Sequence, residues 1–369
     1  MRILLLADTH IGFDLPRRTR VTRRRRGHDF LANFRRALEP ALRHEVDLVV
    51  HGGDLLFRSI VPPETVESAM EPLIEVASAG VPVYLVPGNH ERSKIPTHLW
   101  ATHPLVHVFD LPRTFQQQVG DRSISLSGFP YNRDIRQSFS SVVDDSGHRP
   151  GLTDVSILCM HQAVEGARVG GEGSFTFRNG ADVVRGRDIP GSFDAIFTGH
   201  IHRAQVLRRD LQRNILQAPV IYPGSVERTS WAEQDEPKGY VIVTIGARSQ
   251  DADHRQLQWE KLPARPMIDV TVKSASKREI VEAALTSVLR KLPDDAIVRV
   301  HLTGPWSPGA RLALAAANLR ELAPATMNID LHDPQQRRPD SEGEPQAVEI
   351  GITHDEPQDD RATCERRKI

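Results

Sequence analysis

Five short polar blocks each close a run of apolar residues, and their order leaves few folds open. Asp8-Thr9-His10 follows ILLLA, Gly53-Asp54 follows LVVHG, and Gly88-Asn89-His90-Glu91 follows VYLVP. Further on, His161 follows SILCM and Gly199-His200-Ile201-His202 follows AIFT. Unbroken apolar runs this short read as strands buried on both faces. Between the first three the period changes. From Asp29, Phe30, Phe34, Leu38 and Leu42 recur every four residues, and Val66, Met70, Leu73, Ile74 and Ala77 trace a second amphipathic helix between Pro62-Pro63 and Gly80. This β-α-β-α-β alternation calls for right-handed crossovers and parallel strands, whose C-terminal ends share one sheet edge. Short strands separated by Gly, Pro and Asp over 106–128 and 194–245 extend the sheet without helices. The expectation is an α/β chain forming a layered αββα sandwich rather than a single doubly wound sheet.

A second break in pattern falls near Pro263-Ala-Arg-Pro266. Beyond it the sequence predicts a compact β-α-β-α-β unit. Its parts are a strand at 268–272, a capping box from Ser276 to Glu279, and a helical stripe of Ile280, Ala284, Val288 and Leu292. A strand at 297–303, a helix over 310–322 and a strand at 326–331 complete it. Residues 1–262 and 263–332 are therefore expected to form separate domains. The polar, Pro-containing segment 333–369 is expected to be a disordered tail. A net formal charge of −1 excludes a globally basic binder, so any affinity for a polyanion must rest on a local patch. Two cysteines, Cys159 and Cys364, are too few for a disulfide framework and suit a reducing cytosol. The first apolar stretch is shorter than a secretory core, and no run approaches the roughly 20 apolar residues of a membrane span. A cytoplasmic protein with no membrane contact is the expectation.

Asp, Asn and His are the side chains that hold hard or borderline divalent cations. One Asp or His after a strand is more often a cap or a satisfied polar group, but five such blocks converging on one edge reverse that reading. Asp8, His10 and His202 would ligate one cation, and Asn89, His161 and His200 the other. The two oxygens of Asp54 can bridge a pair of ions about 3.5–4 Å apart. Imidazole, amide and carboxylate together suit Mn²⁺, with Fe²⁺ or Zn²⁺ as alternatives, better than Mg²⁺. Glycines at 53, 88 and 199 allow the backbone to turn sharply off each strand.

The blocks DTH, GGD, GNHE, MH and GHIH resemble those of the calcineurin-like metallophosphoesterases. Within that superfamily the chain is most similar to the SbcD/Mre-eleven DNA-repair nucleases. The likeness is carried by MRILLLADTHIG, VPGNHE, the stretch YPGSVERTSWAEQDEPKGYVIV at 222–243 and the small unit after it, which together span residues 1–332. The resemblance implies a metallophosphoesterase sandwich with a C-terminal capping domain. It implies that His90 stabilises the scissile phosphate or protonates the leaving oxygen. It also implies an SbcC-type ATPase partner docked after the cap. Residues beyond 332 show no amphipathic helix of useful length, so action alone or as a homodimer is the competing expectation. The chain departs from the nuclease pattern at Phe57, where a His or Asp is often found. Phe57 also lacks the phenol oxygen with which purple acid phosphatases hold iron. Arg58 stands where the serine/threonine phosphatases carry a phosphate-binding arginine.

The loop at 16–27 carries Arg17, Arg18, Arg20, Arg23, Arg24, Arg25 and Arg26. Because it leaves the first strand just after His10, its charge is expected at the mouth of the metal site, where it would neutralise several phosphates. Few aromatics accompany it, which favours backbone contact over base stacking. The Gly-rich segment at 164–180 is expected to be a lid or strand-separating loop, or a plain connection. The combined expectation is a DNA phosphodiesterase with exonuclease and single-strand endonuclease action. The alternatives are a phosphomonoesterase or small-nucleotide phosphodiesterase, and a non-catalytic DNA-binding scaffold.

Overall fold

In the computed structural model the described residues are 1–15, 23–91, 103–170, 175–246 and 254–332. The chain first forms Arg2–Leu6 (β1), the helix Arg26–Leu42 (α1), Leu48–His51 (β2), the helix Pro63–Ser78 (α2), Val83–Leu85 (β3) and Val106–Val108 (β4). Next come Arg113–Val119 (β5), Arg122–Gly128 (β6), the helix Ile135–Asp145 (α3) and Val155–Met160 (β7). Four two-residue strands follow: Ala163–Val164 (β8), Arg168–Val169 (β9), Phe175–Thr176 (β10) and Val183–Val184 (β11). The larger unit ends with Ala195–Thr198 (β12), Gln205–Arg209 (β13), Ile215–Tyr222 (β14), Gly239–Ile245 (β15) and Arg255–Lys261 (β16).

Two six-stranded sheets result, ordered β16-β15-β1-β2-β3-β4 and β13-β14-β12-β7-β6-β5. In the first, β1 to β4 run parallel while β15 and β16 add antiparallel at one edge. In the second, β14, β12, β7 and β6 are parallel, and β13 and β5 close the two edges antiparallel. The period of two in β1 explains the layering. Ile3 and Leu5 face the second sheet, in a core with Leu48, Val50, Ile157, Phe197 and Val243. Leu4 and Leu6 face the other way, onto Phe30, Phe34, Met70 and Leu73 of α1 and α2. On the far side, Ile135, Phe139 and Val143 of α3 cover the outer face of the second sheet at Leu158, Met160 and Ile196. The four layers are those of an αββα sandwich.

Residues 267–332 form a third, three-stranded parallel sheet from Met267–Lys273 (β17), Ile297–Thr303 (β18) and Asn328–His332 (β19), with its own apolar core. The helices are Arg278–Leu289 (α4), Pro308–Ala313 (α5) and Ala316–Leu322 (α6). Three expectations about this unit need correction. No Ser276–Glu279 capping box forms, because α4 begins at Arg278 with Lys277 as its N-cap and no side-chain cap bond. The Ser276 carbonyl instead lies against Gly309 at the start of α5. The buried stripe of α4 is Val281, Leu285 and Leu289, one position along from the expected one, and Ile280 is 56% exposed. The helix expected over 310–322 is two short helices.

The connection at 263–266 is tightly held. Asn33 of α1 donates to the carbonyls of Val226 and Pro263, both at 3.0 Å. Arg265, almost fully buried, donates through Nε to Asp29 Oδ2 at 2.8 Å and through Nη2 to Asn328 Oδ1 at 2.6 Å. Its Nη1 reaches the carbonyls of Asp295 and Thr326, both at 3.1 Å. The tail at 333–369 lies outside the described residues, and among those described no helix is long and apolar enough to cross a membrane.

Candidate metal centre

The C-terminal ends of β1, β2, β3, β7 and β12 place all five polar blocks at one rim. Backbone pairing continues past the strand ends and locks the first two blocks together. Asp8 N–H donates to Gly53 O at 2.9 Å, His10 N–H to Asp54 O at 3.0 Å and Ile11 N–H to Leu55 O at 2.8 Å. Asp8, His10, Asp54 and His200 all take left-handed backbone conformations, with φ of 52°, 44°, 51° and 77°. Each such non-glycine residue costs roughly 1–3 kcal/mol. Each fully buried side chain of the flanking strand contributes roughly 1.5–3 kcal/mol, enough to hold the turns in place. Gly53, at φ 105°, lies so close to the His161 imidazole that a Cβ would overlap it, and a Cβ at Gly88 would overlap the Asp54 carboxylate.

The structure brings Asp8, His10, Asp54, Asn89, His90, His161, His200 and His202 together. Asp54 Oδ2 lies 3.4 Å from His161 Nε2, 3.7 Å from His90 Nε2 and 4.0 Å from His10 Nε2. Nε2 of His10 is 3.0 Å from Nε2 of His202, which is 4.0 Å from Asp8 Oδ1. Asn89 Oδ1 stands 3.1 Å from both His161 Nε2 and His200 Nδ1. Donor atoms group as Asp8–His10–His202, His10–Asp54–His90 and Asp8–Asp54–His161, each within 4.8 Å, so Asp54 belongs to two of the three.

Residues around the proposed ligands fix this geometry. Thr9 Oγ1 donates to Leu55 O at 3.0 Å and lies 3.1 Å from His51 Nε2, while Gly53 N–H donates to His51 Nδ1 at 3.2 Å. His51 thus pins the first two blocks to each other. Burial, with His161 nearby, pushes it down to about 3, so it stays neutral. Glu91 accepts from Leu56 N–H at 2.6 Å and Gly88 N–H at 2.8 Å, tying the third block to the second. Burial and then Asp54 push its carboxyl up to about 8. His161 Nδ1 donates to Gly52 O at 2.7 Å, and His90 Nδ1 to the Phe57 carbonyl. His202 Nδ1 is held by Glu233, which sequence reading missed because it sits in a short turn, Trp231–Glu233, with no periodicity to mark it.

The electrostatics fit a cation pair. Asp8 Oδ2 and His10 Nδ1 are buried with no hydrogen-bond partner among the described residues, and burial pushes the Asp8 carboxyl up. An orphaned carboxylate oxygen among histidines is a group awaiting a positive charge. Burial also works against the Asp54 anion, but His161, His90 and His10 outweigh it and hold the carboxyl well below its usual range. Burial holds His10 and His200 low, His200 at about 3. His161 goes the other way, because Asp54 overcomes the effect of burial and pushes it up to about 9. Oxygen and nitrogen donors of this kind suit divalent transition cations.

The arginine loop is largely spoken for. Arg26 is buried, donates to the Arg228 carbonyl and lies 5.0 Å over the Phe13 ring, so it is a structural residue rather than a phosphate contact. Arg23 is likewise corrected. It donates to the carbonyls of Arg320, Ala323 and Pro324 at the C-terminal end of α6, where such cations satisfy otherwise unpaired carbonyls. Arg24 pairs with Asp29 at 2.5 Å and Arg25 with Asp14, although their side chains remain 43% and 36% exposed. Arg17, Arg18 and Arg20 lie outside the described residues. Arg58 is exposed, with its guanidinium 5.4 Å over the Phe57 ring.

A rim of histidines, carboxylates and one amide at the shared edge of an αββα sandwich defines a metal-dependent phosphoesterase. The chain belongs to the calcineurin-like phosphoesterase family, whose model matches residues 1–204. It is similar to the DNA double-strand break repair protein Mre11 of Methanosarcina mazei, at 26% identity over 305 residues covering 80% of this chain and 44% of that protein. The Mre11 protein of Archaeoglobus fulgidus is 26% identical over 320 residues, covering 82% and 68%. An uncharacterized metallophosphoesterase of Helicobacter pylori is 26% identical over 213 residues, covering 56% and 45%. The chain therefore spans less than half the length of the Methanosarcina mazei relative.

Proposed function

We propose that the chain is a two-metal phosphodiesterase that hydrolyses DNA, as an exonuclease and on single strands as an endonuclease. The observation that carries this reading is the meeting of six donor side chains around Asp54, in a chain similar to Mre11 proteins over about four fifths of its length. Asp8, His10 and His202 would hold one cation and Asn89, His161 and His200 the other, with Asp54 close enough to be shared between them. Mn²⁺ is the ion that best suits this set. A cation pair there supplies Lewis-acid polarisation of a phosphoryl oxygen and acidification of water. Residues 263–332 guide the polymer over the rim. In support, Arg299 of β18 lies 4.3 Å over the Trp231 ring, two residues from Glu233.

His90 performs the protein's own chemistry. With Nδ1 donating to the Phe57 carbonyl, Nε2 is turned toward the donor cluster, and a side chain 19% exposed remains within reach of a phosphate. There it stabilises the scissile phosphate or delivers a proton to the departing oxygen. The carbonyl of Phe57 thus orients the imidazole. His90→Gln is expected to lower kcat by about 10²–10⁴-fold while Mn²⁺ binding measured by equilibrium dialysis is unchanged. An unaltered kcat would remove His90 from the mechanism.

One observation favours a second reading, hydrolysis of a phosphomonoester or small nucleotide. Arg58 is exposed beside Phe57, placed to grip a terminal phosphate, while Arg23 and Arg26 are engaged by backbone carbonyls. A panel of duplex, hairpin and single-stranded DNA, RNA, cyclic nucleotides and a phosphomonoester, assayed with Mn²⁺, separates the two. DNA is expected to have the highest kcat/KM. A monoester or cyclic nucleotide cleaved far faster than any DNA would reverse the assignment.

A further inference from the structure

Resting on the two-metal reading above, we infer that Glu233, anchored by buried Lys238, is a positioning residue that aims His202 into the site and so sustains one cation position selectively. Glu233 Oε1 is 3.2 Å from His202 Nδ1. A carboxylate can only accept, so Nδ1 carries the hydrogen and Nε2 presents its lone pair toward His10 and Asp8. Glu233 also accepts from Thr229 Oγ1 at 2.6 Å, Thr229 N–H at 3.4 Å, Ser230 Oγ at 3.2 Å and Lys238 Nζ at 2.6 Å. Lys238 is almost entirely buried, and its Nζ also donates to the backbone carbonyl of His202 at 3.0 Å. Side chain and main chain of His202 are thus gripped by one ion pair. The other histidines rely on different devices. His161 leans on a backbone carbonyl, and the Nδ1 of His10 has no partner among the described residues.

The arrangement also gives the 222–243 stretch a purpose. Ser225 N–H donates to His202 O at 3.1 Å, and Arg228, buried beside it, reaches the carbonyls of Gln234 and Arg265. The stretch therefore runs from the connection at 263–266 to the histidine it supports. Acceptors that orient a ligating histidine typically change metal affinity 10–100-fold when lost. Because Glu233 touches His202 and none of the other proposed ligands, that loss should fall on the Asp8–His10–His202 position alone.

The test is Mn²⁺ titration of the full chain and of Glu233→Gln by calorimetry, with electron paramagnetic resonance of the bound ions and thermal unfolding of the metal-free proteins. The unmodified chain is expected to bind two ions. Glu233→Gln is expected to keep one at unchanged affinity, to weaken the other about 10–100-fold, and to replace the spin-coupled pair signal with a mononuclear one at limiting metal. His202→Ala should abolish the same position and His161→Ala the other. Thr229→Val, a gentler change that removes one donor to Glu233 and the hydroxyl 3.2 Å from His202 Nδ1, should weaken the same position less. Ser230→Ala, which removes a donor to Glu233 alone, decides the matter if Glu233→Gln does not fold. Two ions bound at unchanged affinity in these variants would overturn the inference. So would equal weakening of both positions together with a fall in the metal-free unfolding temperature, which marks a merely structural role. An unmodified chain that binds no pair would instead overturn the two-metal reading itself.

Discussion

Asp54→Asn is expected to bring phosphoester hydrolysis to background and to abolish binding of a pair of Mn²⁺ ions. Asparagine preserves the shape of the side chain, so the acceptor for His90 N–H at 3.1 Å can persist. What disappears is the negative charge facing His161, His90 and His10, and with it the second anionic oxygen needed to bridge two cations. Buried positive or metal-bound groups left without that counter-charge lose far more than an exposed pair would. Equilibrium dialysis and a nuclease assay on the same preparation, with circular dichroism to show a native fold, make the measurement. Turnover within tenfold of the unmodified protein would mean that Asp54 is a packing residue and that the shared-carboxylate account is wrong.

Arg265→Ala is expected to lower the unfolding free energy by about 3–5 kcal/mol, the usual result of removing one partner from a buried ion pair. Asp29 would keep only Arg24 at 2.5 Å, whose side chain is 43% exposed and hence well screened. The carbonyls of Asp295 and Thr326 would lose their donor at the same time. Urea unfolding measures the loss, and the double change Arg265→Ala with Asp29→Ala should recover part of it, because the uncompensated carboxylate is then gone. A loss below about 1 kcal/mol, the range of a surface pair, would show that the three-stranded unit is held by its apolar contacts alone.

The sandwich was legible because its strands announce themselves in both directions. ILLLA, LVVH and SILCM are too short for helices and too apolar for one-sided strands. Parallel strands then oblige whatever follows them to meet at one edge, which is why seven donors scattered from Asp8 to His202 could be gathered on paper. Less visible was everything that depends on packing at a distance. Arg26 reads as one of seven basic residues in a loop, yet it begins a helix, and its side chain is swallowed between Phe13 and the Arg228 carbonyl. Ile280 reads as a core position, yet α4 buries Val281, Leu285 and Leu289 and leaves Ile280 56% exposed. Glu233 and Lys238 lie in turns whose composition resembles any other polar connection. Only the fold reveals that both converge on His202. Side chains that bind declare themselves through their neighbours in sequence, whereas side chains that steady them answer to neighbours in space.

The four left-handed residues at the rim carry one more implication. Asp8, His10, Asp54 and His200 occupy backbone shapes that glycine would adopt at ease. A laboratory selection for heat tolerance alone, with no demand for chemistry, ought to drift toward glycine at these positions and produce a sturdier but inert protein. Acids and imidazoles at these positions give up backbone ease in return for donor atoms at the rim.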